Sequence, residues 1–173
     1  MRCFALAVAF ACLLTSGLWA QQPTTAPGDL IGVRLIDGSR SFELKYSVAS
    51  RRGHTGIATG KQYFVFLGGR AAVRTLNRTP TFEFVTDPAF DEPIRLFRLD
   101  MQGNRREIRV AKGTSGLAEV SIPKDHIIQT TLAEVGDGAN STKRYRLTPA
   151  TGLRPGEYCL GRNSYTCFDF GVD

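Results

Sequence analysis

The chain is poor in the residues that usually carry chemistry. Among 173 residues there are one tryptophan, two histidines and four cysteines. The histidines, His54 and His126, stand in no HExxH or CxxC context and have no carboxylate at ligand spacing. No GxSxG elbow, P-loop or GxGxxG run occurs, so the common signatures of acyl transfer, nucleotide and dinucleotide binding are missing. No apolar run is longer than Phe4–Leu14, too short for the ~20 residues that span a bilayer. Segments of helical periodicity are also missing, which excludes an α/β architecture with its crossover helices.

The N-terminus has a recognisable form. MRCFALAVAFACLLTSGLWA places Arg2 before the apolar run and small residues after it, the three-part pattern of a secretory signal peptide, with cleavage expected after Ala20. Cys12 lies inside the apolar run behind Val8–Ala11, which makes a poor lipid-attachment context. Removing residues 1–20 leaves 153, a size suited to one domain that buries roughly 70% of its unfolded surface. Those twenty residues include Trp19, Cys3, Cys12 and one arginine. The mature chain therefore has no tryptophan, two cysteines, and 21 basic against 16 acidic residues, a net charge of +5. That mild excess suits acidic partners but is no nucleic-acid footprint.

Residues 21–29 (QQPTTAPGD) read as a flexible lead-in. From residue 30 onward, short alternating segments recur between turn signals. IGVRLI, DGSR and FELKY form a hairpin pattern, and Ser50–Gly60 (SRRGHTGIATG) reads as a loop. QYFVFL, Ala71–Leu76, TFEFV, IRLFRL, Glu107–Val110, Ala118–Ile122, Thr131–Val135 and Lys143–Thr148 follow as strands. Lys124–Leu132 is the best helix candidate, but its β-branched residues favour strand. The spacing predicts an all-β, immunoglobulin-like antiparallel β-sandwich of nine to eleven short strands over residues 30–173.

The last turn, EYCLGRNSYTCFDF, places Cys159 and Cys167 on two strands of a predicted hairpin. A turn centred on Asn163 sets them directly opposite each other, within disulfide reach. In an oxidising compartment this pair reads as a structural disulfide rather than a redox centre, which would sit closer together at a helix N-terminus. Just before it, Leu153-Arg154-Pro155-Gly156-Glu157-Tyr158 has the form of a tyrosine corner. Tyr158 is expected to bond to backbone a few residues upstream.

LRPGEYCL with CFDFGVD resembles the ending of a group of exported bacterial β-sandwich proteins of no assigned function, in which "LkPGEYal" precedes "fdFGv". IRLFRLDMQGNRREIRV is similar to their "LvrL…nRREi" hairpin. The resemblance covers about Pro93–Asp173, and loosely Gly69–Phe84. It implies a sandwich fold and a periplasmic or secreted location, and no activity.

Three basic pairs remain: Arg51–Arg52, Arg105–Arg106 and Lys143–Arg144. If their turns share one end of the sandwich, they form a basic rim for an acidic glycan, a headgroup or an acidic envelope protein. The expected function is a non-catalytic binding or scaffold module of the cell envelope, with no cofactor, no metal and no catalytic residue. Two alternatives differ in kind: an envelope-directed hydrolase gathering His54 or His126 with carboxylates in a loop-built pocket, and a subunit of a larger complex. The subunit reading predicts an exposed apolar patch or a long unprotected edge strand.

Overall fold

A computed structural model describes residues 30–54, 60–89, 92–113 and 121–173. The expected signal peptide and lead-in, and most of the strand expected at Ala118–Ile122, lie outside the described residues.

Fourteen strands and no helix are found among the described residues. They are β1 (Ile31–Asp37), β2 (Arg40–Glu43), β3 (Tyr46–Val48), β4 (Ser50–His54), β5 (Gly60–Leu67), β6 (Arg74–Thr75) and β7 (Thr81–Thr86), followed by β8 (Arg95–Met101), β9 (Arg105–Gly113), β10 (Ile127–Ile128), β11 (Thr130–Asp137), β12 (Lys143–Pro149), β13 (Gly156–Gly161) and β14 (Thr166–Val172). The all-β antiparallel class is as expected. The count exceeds nine to eleven because several strands are only two to four residues long, too short to leave a periodic signal.

One sheet has the order β11-β12-β7-β1-β2. The other has β3-β14-β13-β8-β9-β5-β4, with β10 beside β8 and β6 beside β14. The β1–β2 hairpin forms where DGSR predicts it, with Gly38 at φ +60° supplying the left-handed turn conformation. The two sheets face each other over Leu35, Phe82, Phe84, Leu147, Tyr158, Leu160 and Phe170, all 2% exposed or less.

The larger sheet also curls on itself. β8 and β9 pair only at their turn, Asp100 with Glu107 and Met101 with Arg106, and then diverge. β9 and β5 pass across the far face of β8, β13 and β14. Residues 46–54 close the curl: β3 pairs with β14, the Ala49 amide donates to the Tyr165 carbonyl at 2.8 Å, and β4 then pairs with β5. The result is a nearly closed barrel around a second core of Phe64, Phe66, Phe97, Leu99, Ile108, Val110, Ile122 and the two cysteines. β13 and most of β14 are therefore covered on both faces, which accounts for the unbroken apolar stretches YCL and CF.

The sequence predicts a loop over Ser50–Gly60; Ser50–His54 is strand instead, Gly60 opens β5, and residues 55–59 lie outside the described residues. The Gly and Arg residues of β4 carry no strand signal, and the pairing to β5 from Ser50–Val65 to His54–Lys61 overrides local preference. Ala71–Leu76, expected as strand, retains only Arg74 and Thr75 in parallel pairing with β14. Lys124–Leu132 forms a turn, β10 and the start of β11, so its β-branched residues decide it.

Cys159 and Cys167 form the expected disulfide, with Cα atoms 5.3 Å apart. The hairpin register differs from the expected one: Leu160 faces Phe168 and Cys159 faces Asp169. The cause is the turn. The Asn163 carboxamide oxygen accepts from the Tyr165 and Thr166 amides and from the Thr166 hydroxyl, which lengthens the loop by local bonding. Gly161 lets the strand end pass close to the Thr166 carbonyl, which would lie 2.6 Å from a Cβ at that position. Because the shift is two residues, both sulfurs stay on one face and meet diagonally.

Candidate functional site

Strand alternation divides the three basic pairs, and they do not form one rim. Arg51 and Arg52 are exposed on β4. Arg105 is half-buried at the start of β9 and bonds to Glu107 at 3.0 Å. Its neighbour Arg106 points the opposite way, into the second core, where it is 5% exposed and ion-paired with Asp169. Ser47 donates to the other Asp169 oxygen at 3.0 Å. Arg106 is thus a structural residue, and its expected place in a contact surface is corrected. Lys143 and Arg144 lie on β12, in the other sheet. Lys143 is held by Asp137 at 2.6 Å and Glu134 at 3.1 Å. The bond from Lys143 keeps the Asp137 carboxyl below its ordinary range. Arg144 lies level with Val85 and Gly136 and lines a shallow cleft together with Gly32 and Arg34.

A different basic arrangement emerges on the outside of the barrel. Arg52 pairs with Tyr63, and Tyr63 pairs with Arg109. Directly paired residues share a face, so the three side chains stand in one row across β4, β5 and β9. Their neighbours Phe64, Ile108 and Val110 alternate into the second core, which leaves the row facing outward. Both arginines are exposed and Tyr63 is half-buried. Arg109 was missed in the sequence because it is not part of a basic pair. The alternation in EIRV, with Ile108 and Val110 buried on either side, is the signal that places it outside.

Tyr158 has the expected tyrosine-corner bond: its hydroxyl donates to the Arg154 carbonyl, four residues upstream, at 2.7 Å. Burial pushes this phenol above its ordinary range, while the Arg98 charge and the bond to Arg154 pull it down. Nearby, Glu157 is buried at 2% exposure. It accepts from the Ala71 amide at 2.8 Å and from Arg74 Nη1 at 2.6 Å. Arg74 also holds the Asp173 carboxylate, at 2.7 Å from Nη2 and 3.0 Å from Nε, tying the last residue to the barrel wall.

His126 is half-buried, with Nδ1 2.8 Å from the Arg98 carbonyl and Nε2 3.9 Å from Asp100, which makes it a turn residue. His54 lies on β4. No group of three His, Cys, Asp or Glu residues among the described residues is close enough to hold a metal ion. No helix of the described residues is long and apolar enough to cross a membrane. No protein-family model, no curated protein and no solved structure matches the chain.

Proposed function

We propose that the protein is an exported, non-catalytic binding module of the cell envelope, and that it holds an acidic glycan on the outer face of β4, β5 and β9. The resemblance of its C-terminal half to exported bacterial β-sandwich proteins, together with the signal-like first twenty residues, supports the location. The observation that carries the binding reading is the Arg52–Tyr63–Arg109 row. Two guanidinium groups flank an aromatic ring on a sheet surface, with the barrel behind them as a rigid support. Guanidinium forks match carboxylate and sulfate groups, and a tyrosine ring offers a flat apolar face with a polar tip to a sugar.

Co-sedimentation with acidic and neutral polysaccharides tests this reading. Binding to the acidic polymer, weakened at least tenfold by Arg52→Ala with Arg109→Ala and by raised salt, is the expected result. Equal retention on a neutral polymer, or no change in the double variant, overturns it. N-terminal sequencing of protein from the extracytoplasmic fraction tests export, with Gln21 as the expected first residue.

One observation favours a second reading, the subunit of a larger complex. β11 is an eight-residue edge strand, paired among the described residues with β12 alone, and Thr131–Val135 are exposed on both faces. It carries no lysine or proline to blunt the edge, although a register shift after Glu134 does so at its far end. Antiparallel pairing with β11 of a second copy would extend the sheet across a two-fold axis. Sedimentation equilibrium decides it: a dimer abolished by Leu132→Lys supports the pairing, and a monomer at all concentrations removes it.

A further inference from the structure

The second core is open at one end to a cleft of about 370 Å³ beside the disulfide hairpin. Barrel mouths are a preferred place for small ligands. What distinguishes this one is the polarity of its lining, which consists largely of hydrogen-bond donors.

Arg95 opens β8 and pairs with Gly161, two positions from the Phe97–Cys159 pair, so it stands on the same face as the second core and at its mouth. Its side chain is half-buried, and among the described residues it has no carboxylate or other hydrogen-bond partner. Arg162 is 8% exposed. Its guanidinium is oriented by the Thr86 hydroxyl at 2.7 Å and by the Glu92 carbonyl. Ser164, 3% exposed, lines the same cleft and makes no hydrogen bond among the described residues. The oxygen of the Asn163 carboxamide is committed to the turn, which leaves its NH₂ as the available end. Two guanidinium groups, a hydroxyl and an amide NH₂ therefore border one small space. Among the described residues that line it, the acid is Glu92, which is exposed. Tyr165 and Ile122 form an apolar shoulder.

We infer that this cleft is a binding site for a tetrahedral oxyanion, a phosphate or sulfate group. Partly buried guanidinium groups bond to such anions strongly because both partners are charged and the site is shielded from water. Bonds to Thr86 and to the Glu92 carbonyl hold the Arg162 guanidinium in place against the cleft, and Arg95, with no partner among the described residues, supplies the open fork. The Ser164 hydroxyl and the Asn163 amide meet the remaining oxygens, as a buried polar ligand requires. The site shares no residue with the Arg52–Tyr63–Arg109 row and stands or falls independently of it.

The test is an NMR titration of the purified protein with inorganic phosphate, sulfate and acetate at constant ionic strength. The expected result is saturable, single-site binding of phosphate or sulfate, with shifts centred on Arg95, Asn163, Ser164 and Tyr165 and acetate binding more weakly. Arg95→Ala should weaken binding at least tenfold and Ser164→Ala about threefold, while Arg105→Ala leaves it unchanged. Arg95→Lys keeps the charge without the fork and should recover part of the affinity. An unaltered thermal transition in Arg95→Ala separates loss of the site from loss of the fold. If Arg95→Ala lowers that transition, Ser164→Ala and Arg95→Lys carry the test. Non-saturable shifts, shifts spread over the surface, acetate binding tighter than phosphate, or full affinity in these variants would overturn the inference. A preference for phosphate over sulfate, or the reverse, identifies which ester the cleft takes.

Discussion

The two faces of the β8–β13–β14 layer are built differently. One face packs against the five-stranded sheet through Phe82, Phe84, Leu35 and Leu147, with Phe170 between Tyr158 at 5.5 Å and Phe82 at 4.9 Å. Its main polar atom is the Tyr158 hydroxyl, which is turned to backbone. The other face is enclosed by its own sheet and holds a disulfide and the Arg106–Asp169 ion pair beside Phe97 and Ile108. The first core has a second sheet to bury its area against. The second is a narrow enclosure with few side chains, and cross-links and charge pairing supplement apolar area in holding it. Residue type alone therefore predicts burial on the first face, but not on the second.

Substitutions in the two cores probe this difference. Phe170→Ala leaves a cavity in the first core and should cost about 3–5 kcal/mol, read as a lowered urea midpoint. Arg106→Ala should cost about as much, roughly 3–5 kcal/mol, for a different reason: the largely enclosed Asp169 loses its ion-pair partner and keeps Ser47 as its partner among the described residues. The double variant Arg106→Met with Asp169→Leu distinguishes the two causes. It should recover most of the loss, because the penalty lies in the stranded charge, whereas no second substitution of that kind repairs the cavity. A double variant as unstable as Arg106→Ala would mean that the pair itself holds the barrel.

Removing the cross-link comes next. Cys159→Ser with Cys167→Ser, or reduction, should lower stability by about 2–3 kcal/mol in the chain-entropy treatment of a loop this short, measured with and without reductant. Loss of the second core without the first would appear as a separate early transition. Tyr158→Phe should cost about 1 kcal/mol, the net worth of one hydrogen bond, and the loss should be absent if the corner is held by packing alone.

The smallest effect is on the acid side. The hydrogen bond from Arg74 holds the Asp173 carboxyl below its ordinary value. The folded value lies below the unfolded one, so this stabilisation is fully present above pH ~4 and is lost as pH falls through the folded value. An NMR titration of the Asp173 carboxyl should give a midpoint below 3.8. A midpoint at that value would show that the C-terminus is not clamped.

Part of the candidate sites was legible in the sequence, and part was not. The disulfide and the tyrosine corner depend on residues close in sequence, and both are found. The basic rim fails because adjacent residues in a strand point to opposite faces, which sends Arg106 inward while Arg105 stays at the surface. Arg109 was readable by the same rule from EIRV. The cleft at Arg95, Arg162 and Ser164 carries no motif, since it joins the start of β8 to a turn nearly seventy positions later.

Alternation, turn residues and cysteine placement by themselves determined an all-β antiparallel chain, its hairpins and its cross-link, because these are set by backbone geometry over a few residues. Only the tertiary structure decided that the larger sheet closes on itself, that SRRGH becomes a strand, and which arginines lie inside. Those outcomes depend on pairing between β3, β4, β5 and β14, and contacts across such sequence distances leave no local periodicity to read.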